Sequence, residues 1–445
     1  METKVFRYLF VGYVVFALVG ASILEIDIMR TRHIPFIDQI FTAASAISIT
    51  GLTTLNVAND YTIYGQAVIL LLVQIGGFGY MSMASLIFLI IGKKLDFGER
   101  SMLKEDLVYP NFRGIIKFIK KIFSVIIVIE LAGAVVLTLV FMLDMPFYDA
   151  LWAGVFHSIS AFNNAGFSIF ENSFMSYHDN LILKLTISSL VILGGLGYLV
   201  LSECYAFYKK QQKRLSIHTR IVLIMSAVLF LGSFFVITIL EFHHDEAFAG
   251  FDVYEKLLSF FFLTVNLRTS GFNSIDVSQL HDQTIFFSTL MMIIGAAPGG
   301  TGGGMKVTTL AVLLLFTYSV LKDRDPVIFK RKVPSETIRK AFVIFVASMI
   351  YVVVSVMVIG TLEDKNNEKF LPILFEVSSA FSTTGMSLGS SDGSSSLVGD
   401  FDTFGKLYIV VLMFMGRIGV LAFSFMLLGK NKKSKIEYPT EEVNL

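Results

Sequence analysis

The chain has 445 residues, of which 54% are hydrophobic and only 16% are charged, whereas an ordinary soluble protein is about a quarter charged. Its net charge of +1 gives no basis for a nucleic-acid partner. Its single cysteine, Cys204, excludes an intramolecular disulfide framework and a cysteine metal cluster. The composition therefore indicates an integral membrane protein.

Eight apolar runs are each long enough to cross about 30 Å of hydrocarbon, which takes about 20 helical residues. Each run is predicted to be helical, because lipid offers the backbone no hydrogen-bond partner. The first run has Lys4 and Arg7 at its start and could instead be a signal peptide, but it is long for the apolar part of one. The runs cover residues 6–24, 63–91, 122–143, 181–207, 221–240, 283–321, 341–362 and 407–428.

Lys and Arg residues are concentrated in alternate connectors. The connector 92–121 carries eight of them, 209–220 carries five, 322–340 carries seven, and the tail from Lys430 carries four. The intervening connectors hold at most three each. Since basic connectors stay on the cytoplasmic side, we predict a multi-pass protein with both termini in the cytoplasm.

The intervening connectors contain a sequence repeat. Each has a semi-apolar stretch, too short to span a bilayer, that ends in small polar residues and a glycine. The stretches read F-T-A-A-S-A-I-S-I-T-G-L from Phe41, F-H-S-I-S-A-F-N-N-A-G-F from Phe156, F-F-L-T-V-N-L-R-T-S-G-F from Phe261 and F-E-V-S-S-A-F-S-T-T-G-M from Phe375. Such a recurrence predicts tandem supersecondary units. The aligned glycines are Gly51, Gly166, Gly271 and Gly385, and a serine six residues earlier aligns in three copies, Ser45, Ser160 and Ser379, against Val265.

The repeated stretches suggest a pore. A half-helix that enters the membrane must end in non-helical backbone, which is tolerated only where it lines water or is buried in protein. Its C-terminal end carries partial negative charge, and the carbonyls after it can replace the hydration shell of a cation. Glycine allows a carbonyl orientation that other residues avoid. The alternative is that these glycines only let helices pack closely.

With these four segments in the same order, the chain resembles the Trk/Ktr/HKT potassium transporter superfamily, and most closely its bacterial Ktr-type membrane subunit. The resemblance implies an all-α integral membrane protein of four tandem M1–pore helix–M2 repeats. Eight transmembrane spans and four re-entrant pore helices would surround one central pore in the plasma membrane. It also implies a homodimer with one pore per subunit and no enzymatic activity.

The resemblance further implies a selectivity filter for K⁺, which is the only metal ion expected in the chain. Glycine in all four copies is the pattern that the family associates with potassium, whereas sodium-conducting relatives often have serine in the first copy, where this chain has Gly51. The filter residues carried over are Ile49, Thr50, Gly51, Asn164, Ala165, Gly166, Thr269, Ser270, Gly271, Thr383, Thr384 and Gly385.

The sixth apolar run contains I-I-G-A-A-P-G-G-T-G-G-G-M-K, residues 293–306, which cannot stay helical. We expect two half-helices joined by a mobile loop at 296–304, and we expect this to be the one broken M2 segment. A nucleotide-binding P-loop is excluded, since Met305 occupies the position of the motif's Lys and no Ser or Thr directly follows it. The resemblance implies a gate here; the alternative is a kink that only shapes the bundle. The expected gate residues are Pro298, Gly299, Gly300, Gly302, Gly303 and Gly304.

Arg417 lies in the middle of the last apolar run, where a cation normally faces a pore or a partner. The comparable positions in other M2 segments are glycines, in Gly76-Gly77-Phe78-Gly79 and Gly194-Gly195-Leu196-Gly197. We predict that Arg417 is a positive barrier below the filter and donates hydrogen bonds to carbonyls of the gate loop. For Arg268 we favour a structural role.

The predicted boundaries follow the repeats. They are pore repeat 1 at 1–91, a cytoplasmic connector at 92–116, repeat 2 at 117–208, repeat 3 at 209–321, a connector with repeat 4 at 322–429, and a cytoplasmic tail at 430–445. The chain contains no Rossmann glycine motif, so no cofactor is expected in it.

The resemblance implies regulation by a separate cytoplasmic ring of nucleotide-binding RCK (KTN) domains of the KtrA type. The basic segments 92–121, 322–340 and 430–445 would contact this ring, or would anchor anionic lipid. Two other functional classes are compatible with an integral membrane protein. A secondary symporter also uses broken helices, but its repeats are large inverted halves. An intramembrane enzyme would need paired carboxylates or a nucleophile and base, and neither pattern is found.

Overall fold

The computed structural model describes residues 2–79, 82–83, 115–244, 247–248, 250–363, 369–391 and 395–428. Most of the predicted connector 92–116 and the whole tail 430–445 lie outside these residues. The regular secondary structure of the described part consists of helices and one hairpin. In the hairpin, β1 (Val327–Ile328) pairs antiparallel with β2 (Arg331–Lys332).

Four long helices in this part are apolar enough to cross a membrane, and six spans result if each bent helix pair is counted as one. Their apolar side chains are widely exposed, as at Val128 and Leu231, which a lipid-facing surface explains. They confirm the predicted helices at 6–24, 122–143, 221–240 and 341–362. The four are α1 (Glu2–Leu24), α5 (Ile115–Phe141), α9 (Ile217–Glu241) and α13 (Ser335–Leu362).

A short helix follows each long one. A proline precedes two of them, Pro35 and Pro146, and a fixed proline φ suits a helix start. The third begins with a capping box of Asp252 and Glu255, which satisfies otherwise unpaired amides. The C-terminal halves of these helices are buried. They are α2 (Phe36–Ile47), α6 (Phe147–Phe162), α10 (Val253–Asn266) and α14 (Phe370–Ser382).

The remaining helices complete each unit after a non-helical segment. They include two pairs that are bent at a glycine and one pair that is separated by the loop 294–306. They are α3 (Val57–Asp60), α4 (Ile63–Phe78), α7 (Leu181–Gly195), α8 (Tyr198–Tyr208), α11 (Asp282–Ile293), α12 (Val307–Leu321), α15 (Thr403–Ile418) and α16 (Val420–Leu428).

The predicted break in the sixth run is confirmed, but the expectation that it is the one broken M2 segment is wrong. The axes of α7 and α8 differ by 104°, and those of α15 and α16 by 112°. The bends lie at Gly197 (φ +92°) and Gly419 (φ +99°), and α4 ends at Gly79 (φ +86°). A right-handed helix cannot continue through such a conformation, which glycine adopts at little cost. The runs 181–207 and 407–428 are therefore not single straight spans.

The helices pack in a closed order around the centre of the molecule. Each short helix contacts the long helix before it, and it also contacts a helix of the neighbouring unit. The contacts between units run from α4 to α6, from α7 to α10, from α11 to α14 and from α15 back to α2. Because the last contact returns to the first unit, the loops that follow the short helices meet around one axis.

Candidate functional site

The four repeated glycines adopt one backbone conformation. Their φ angles are +91° at Gly51, +70° at Gly166, +75° at Gly271 and +84° at Gly385. A side chain is strained in this region, whereas glycine is not. The residue two positions before each glycine also has a positive φ, between 54° and 66°. These residues are Ile49, Asn164, Thr269 and Thr383.

The glycines also approach one another in a closed cycle. A Cβ atom added to any of the four would lie within 3.0 Å of a backbone carbonyl oxygen of the next loop. The order of these contacts returns to its start, and no L side chain fits between the loops. We call this arrangement the glycine ring. The pairs are Gly51 with Ala165, Gly166 with Ser270, Gly271 with Thr384, and Gly385 with Thr50.

The backbone amides of the glycine ring are bonded back to the short helices. Thr50 N donates to Ser45 O at 2.8 Å, and Thr384 N donates to Ser379 O at 2.9 Å. The second loop has the same bond, from Ala165 N to Ser160 O at 2.8 Å. The third loop, which has Val265 at the serine position, bonds to Asn266 O instead. With the amides held by their own helices, the carbonyls are the polar backbone groups that remain to face the axis.

A cavity of about 220 Å³ lies on one side of the glycine ring. The four glycines line it, together with residues that follow them, such as Ser168 and Ser387. Glu171 and Asp276 contribute carboxylates, and the described residues that line the cavity include no Lys or Arg. The electrostatic potential of such a cavity favours cations.

The loop 294–306 covers the other side of the ring. It contacts the residues two positions before three of the glycines. Gly303 N donates to Thr383 Oγ1 at 2.8 Å, and the Thr301 hydroxyl hydrogen-bonds the Asn164 side-chain amide at 3.0 Å. A Cβ on Gly302 would overlap Thr269 Oγ1. The glycine ring therefore lies between the cavity and this loop.

Further hydrogen bonds hold the loop 294–306 against the second unit. Ala297 N donates to Gly195 O at 3.0 Å, and Thr301 N donates to Gly194 O at 3.2 Å. In return, Tyr198 N donates to Gly299 O at 3.0 Å. A glycine-rich segment has many accessible conformations, so these bonds select one of them. The loop occupies a defined arrangement rather than a random one.

Lys306 and Arg417 are two of the cations that donate hydrogen bonds to carbonyls of this loop. Lys306 Nζ donates to Gly302 O at 2.7 Å. Arg417 donates through Nη1 to Thr301 O, and through Nη2 to Gly77 O at 3.2 Å. The expected hydrogen bond from Arg417 to a loop carbonyl is present. Arg417 also bridges the loop to the last turn of α4, whose carbonyls carry partial negative charge.

Arg268 holds the start of the loop. Its Nη2 donates to Gly295 O at 3.2 Å, and its guanidinium lies 4.8 Å from the centroid of the Phe230 ring. Contacts of this kind, a hydrogen bond and a cation–π interaction, are what a structural role requires.

The M2 glycines serve close packing as well as bending. A Cβ on Gly76 would overlap the carbonyl of Ile47, and a Cβ on Gly194 would overlap that of Phe162. Gly416 has the same relation to Phe381. The helices α4, α7 and α15 thus pass directly against the C-terminal ends of α2, α6 and α14. Arg417 follows this contact glycine, as Gly77 and Gly195 do in the other copies.

The whole chain matches a known family model. Residues 5–434 match the model TrkH, described as a cation transport protein. The chain belongs to this family. It is a multi-pass membrane protein of the cell membrane, as its long apolar helices also indicate. The prediction of a Trk/Ktr relationship is confirmed.

Individual relatives agree with the family match. The Ktr system potassium uptake protein B of Bacillus subtilis is 36% identical over 438 residues, covering 98% of this chain and 96% of that protein. The potassium/sodium uptake protein NtpJ of Enterococcus hirae is 34% identical over 442 residues, covering 98% and 95%. These relatives are ion transporters, and the chain is accordingly not an enzyme.

A solved structure shares the fold. The potassium transporter TrkH from Vibrio parahaemolyticus superimposes with a TM-score of 0.73, covering 95% of this chain and 84% of that one. The two sequences are 19% identical, so the likeness concerns the fold. The chain is thus a mostly helical membrane protein with a TrkH-like fold.

Sequence reasoning missed several residues of the site. Thr301 and Tyr198 hold the loop 294–306, yet a lone polar residue in an apolar or glycine-rich run gives no distinct signal. The bends at Gly197 and Gly419 did have a sequence signal. The spacing G-x-x-G recurs from Gly76, Gly194 and Gly416. By sequence alone, these glycines serve only as the positions comparable to Arg417.

Proposed function

We propose that the chain takes up K⁺ across the cell membrane through a pore along the axis of the glycine ring. The observation that carries this proposal is the closed cycle of contacts among the four glycine loops. Four loops with one conformation provide several rings of carbonyl oxygens, which can replace the hydration shell of a cation. The names of the relatives, which include potassium uptake, support the choice of K⁺.

The filter would consist of the three residues that end in each glycine. The negative ends of the four short helices point toward the ring, and the carboxylates of Glu171 and Asp276 lie at the cavity beside it. Both features favour a cation at the filter. The four-unit order of helices supports four tandem M1–pore helix–M2 repeats with eight spans, the last three M2 segments being interrupted.

We further propose that the loop 294–306 is the gate. It covers the face of the glycine ring opposite the cavity, and its bonds to Thr383 and Asn164 are single hydrogen bonds. Each is worth about 0.5–1.5 kcal/mol, so breaking these two bonds would cost only a few kcal/mol. The charge of Arg417 would oppose a cation beneath the filter until its hydrogen bonds are broken.

We propose that a cytoplasmic partner controls the gate. α12 leads from the loop directly to Lys322 and the basic segment 322–340. A ring of nucleotide-binding RCK domains that displaces this segment would move the loop. The name "Ktr system" of the relatives supports a multi-component assembly, and we place a homodimer and both cytoplasmic termini in the same proposal.

Complementation tests this function. A cell that lacks its own K⁺ uptake, expressing this chain with and without a candidate ring subunit, should grow at low external K⁺ only when the chain is present. Deletion of Gly302, Gly303 and Gly304 should leave a folded, constitutively leaky protein that still binds the partner. A shortened protein that stays closed alone and opens normally with its partner would exclude the loop as the gate.

A further inference from the structure

A cluster of potential metal ligands lies away from the pore, where two helices of the third unit meet. Glu241 is the last residue of α9, and His281 directly precedes α11. His244 lies in the turn after α9. One ligand atom from each of the three side chains can be chosen so that all lie within 4.8 Å of one another.

The cluster has a defined geometry. Glu241 Oε2 and His244 Nδ1 are 3.0 Å apart, and Glu241 Oε1 accepts a hydrogen bond from the backbone N–H of His281 at 3.0 Å. The imidazole rings of His244 and His281 stack with their centroids 3.7 Å apart. The carboxylate is thus fixed from both sides, and both rings are brought to it.

The buried carboxylate of Glu241 favours the binding of a cation at this cluster. The side chain of Glu241 is 0% exposed, and a buried carboxylate needs a charged partner. In the part of the chain that the structure describes, His244 provides the one ion pair of Glu241. A divalent cation held by the same three side chains would neutralise the charge of the Glu241 carboxylate.

We propose that Glu241, His244 and His281 form a Zn²⁺ site. Carboxylate oxygen and imidazole nitrogen are ligands that zinc prefers, at about 2.0–2.2 Å, and three protein ligands leave a fourth position for water. Two ligand atoms on one tetrahedral ion lie about 3.3 Å apart at such bond lengths, close to the 3.0 Å between Glu241 Oε2 and His244 Nδ1. His281 is exposed, so its ring is free to rotate away from the stack toward the ion.

Binding would require His244 to ligate as the neutral imidazole through Nδ1, because only a nitrogen without a proton has a lone pair to donate. The proton then resides on Nε2. The metal would join the end of α9 to the start of α11, and α11 leads into the loop 294–306. The site would therefore stabilise the third unit on the side away from that loop.

Metal binding to the full chain tests the site. The protein is purified in detergent without a histidine tag, stripped with a chelator and dialysed against buffered free Zn²⁺, and bound zinc is counted per chain. Wild type should bind one tightly held ion. His281→Ala and Glu241→Gln should weaken its affinity by about 100-fold or more, because even the loss of a residue that only supports a ligand costs about 10- to 100-fold. Zn²⁺ should raise the Tm of wild type but not that of His281→Ala.

His243→Ala is the matched control. His243 is exposed and adjacent in sequence, but it is not one of the three clustered side chains, so the variant should bind zinc as wild type does. Since His281 is exposed, His281→Ala should fold even if Glu241→Gln does not, which its Tm without metal establishes. Equal zinc binding in wild type and His281→Ala, or loss of binding in His243→Ala, would overturn the assignment.

Discussion

The glycine ring and the loop 294–306 lie face to face, yet they are built in opposite ways. The ring takes one short segment from each of the four units, and every copy has the same pattern of positive φ angles. The loop comes from a single unit and is held by residues of other units, among them Asn164, Thr383 and Arg417. One region is regular and the other is not.

This difference indicates how the two tasks are divided. A set of equivalent carbonyls needs repetition, because equivalent oxygens come from equivalent backbones. In the proposed function, a gate would need an element that can move independently, and it would arise where the copies diverge. The third unit has the loop 294–306 where the second and fourth units bend at a single glycine. The fourth has Arg417 after its contact glycine, where the first two have Gly77 and Gly195.

The largest effect is expected from breaking the regularity of the ring. Gly385→Ala places a Cβ against the carbonyl of Thr50. It also strains the backbone by about 1–2 kcal/mol. We expect the rate of K⁺ uptake in a transport-deficient cell to fall by about tenfold or more, at the usual factor of ten per 1.4 kcal/mol.

Gly389→Ala is the control for this change. Gly389 has a φ of +89°, similar to that of Gly385, but a Cβ there would meet no atom within 4 Å. Its backbone strain is the same and its steric overlap is absent, so near-normal uptake is expected. Equal losses in both variants would mean that strain alone, and not the closed ring, explains the first result.

The next largest effect is expected from Arg417, the proposed positive barrier below the filter. Arg417→Ala removes hydrogen bonds from a charged donor to Thr301 O and Gly77 O, each worth about 1.5–3 kcal/mol. The basal ⁸⁶Rb⁺ flux into liposomes, without any partner, should rise by about tenfold. Dependence on the partner should weaken.

Arg220→Ala serves as the comparison, because Arg220 lies over the Phe329 ring and away from the loop 294–306. It should leave the basal flux unchanged. If Arg417→Ala had the flux of wild type with and without partner, Arg417 would be a packing residue and not a barrier.

A smaller effect is expected at the loop itself. Thr301→Val keeps the shape and the backbone carbonyl that Arg417 binds, but it removes the hydroxyl that hydrogen-bonds Asn164. A neutral hydrogen bond is worth about 1 kcal/mol, so the basal flux should rise by only about threefold to fivefold. Thr308→Val, in the first turn of α12, should not change it. An unchanged flux in Thr301→Val would show that this bond does not hold the closed arrangement.

The ring could be predicted from sequence because its requirements repeat. The aligned glycine recurs in all four copies. A backbone position with a positive φ favours glycine over nearly every other residue, so each copy indicates the same local conformation. The break at 294–306 was equally clear, since six glycines and Pro298 cannot remain helical. These features are local, so the residues themselves carry them.

What could not be predicted depends on contacts between distant segments. The hydrogen bonds of Tyr198 to the loop, and the order in which Gly385 meets Thr50, join units far apart in the chain. The bend at Gly419 was missed for another reason. An apolar run long enough to span a bilayer was taken as a straight helix, although its glycine has a φ of +99°.

Whether the glycine ring selects the ion is tested most directly by the ratio of K⁺ to Na⁺ uptake in liposomes. Gly51→Ser should lower this ratio by about tenfold, because the side chain displaces the first loop from Ala165 O while its hydroxyl offers the ion another ligand. Flux continues, but the equivalence of the four loops is lost. An unchanged ratio in Gly51→Ser, Gly166→Ser, Gly271→Ser and Gly385→Ser alike would contradict a filter at the ring.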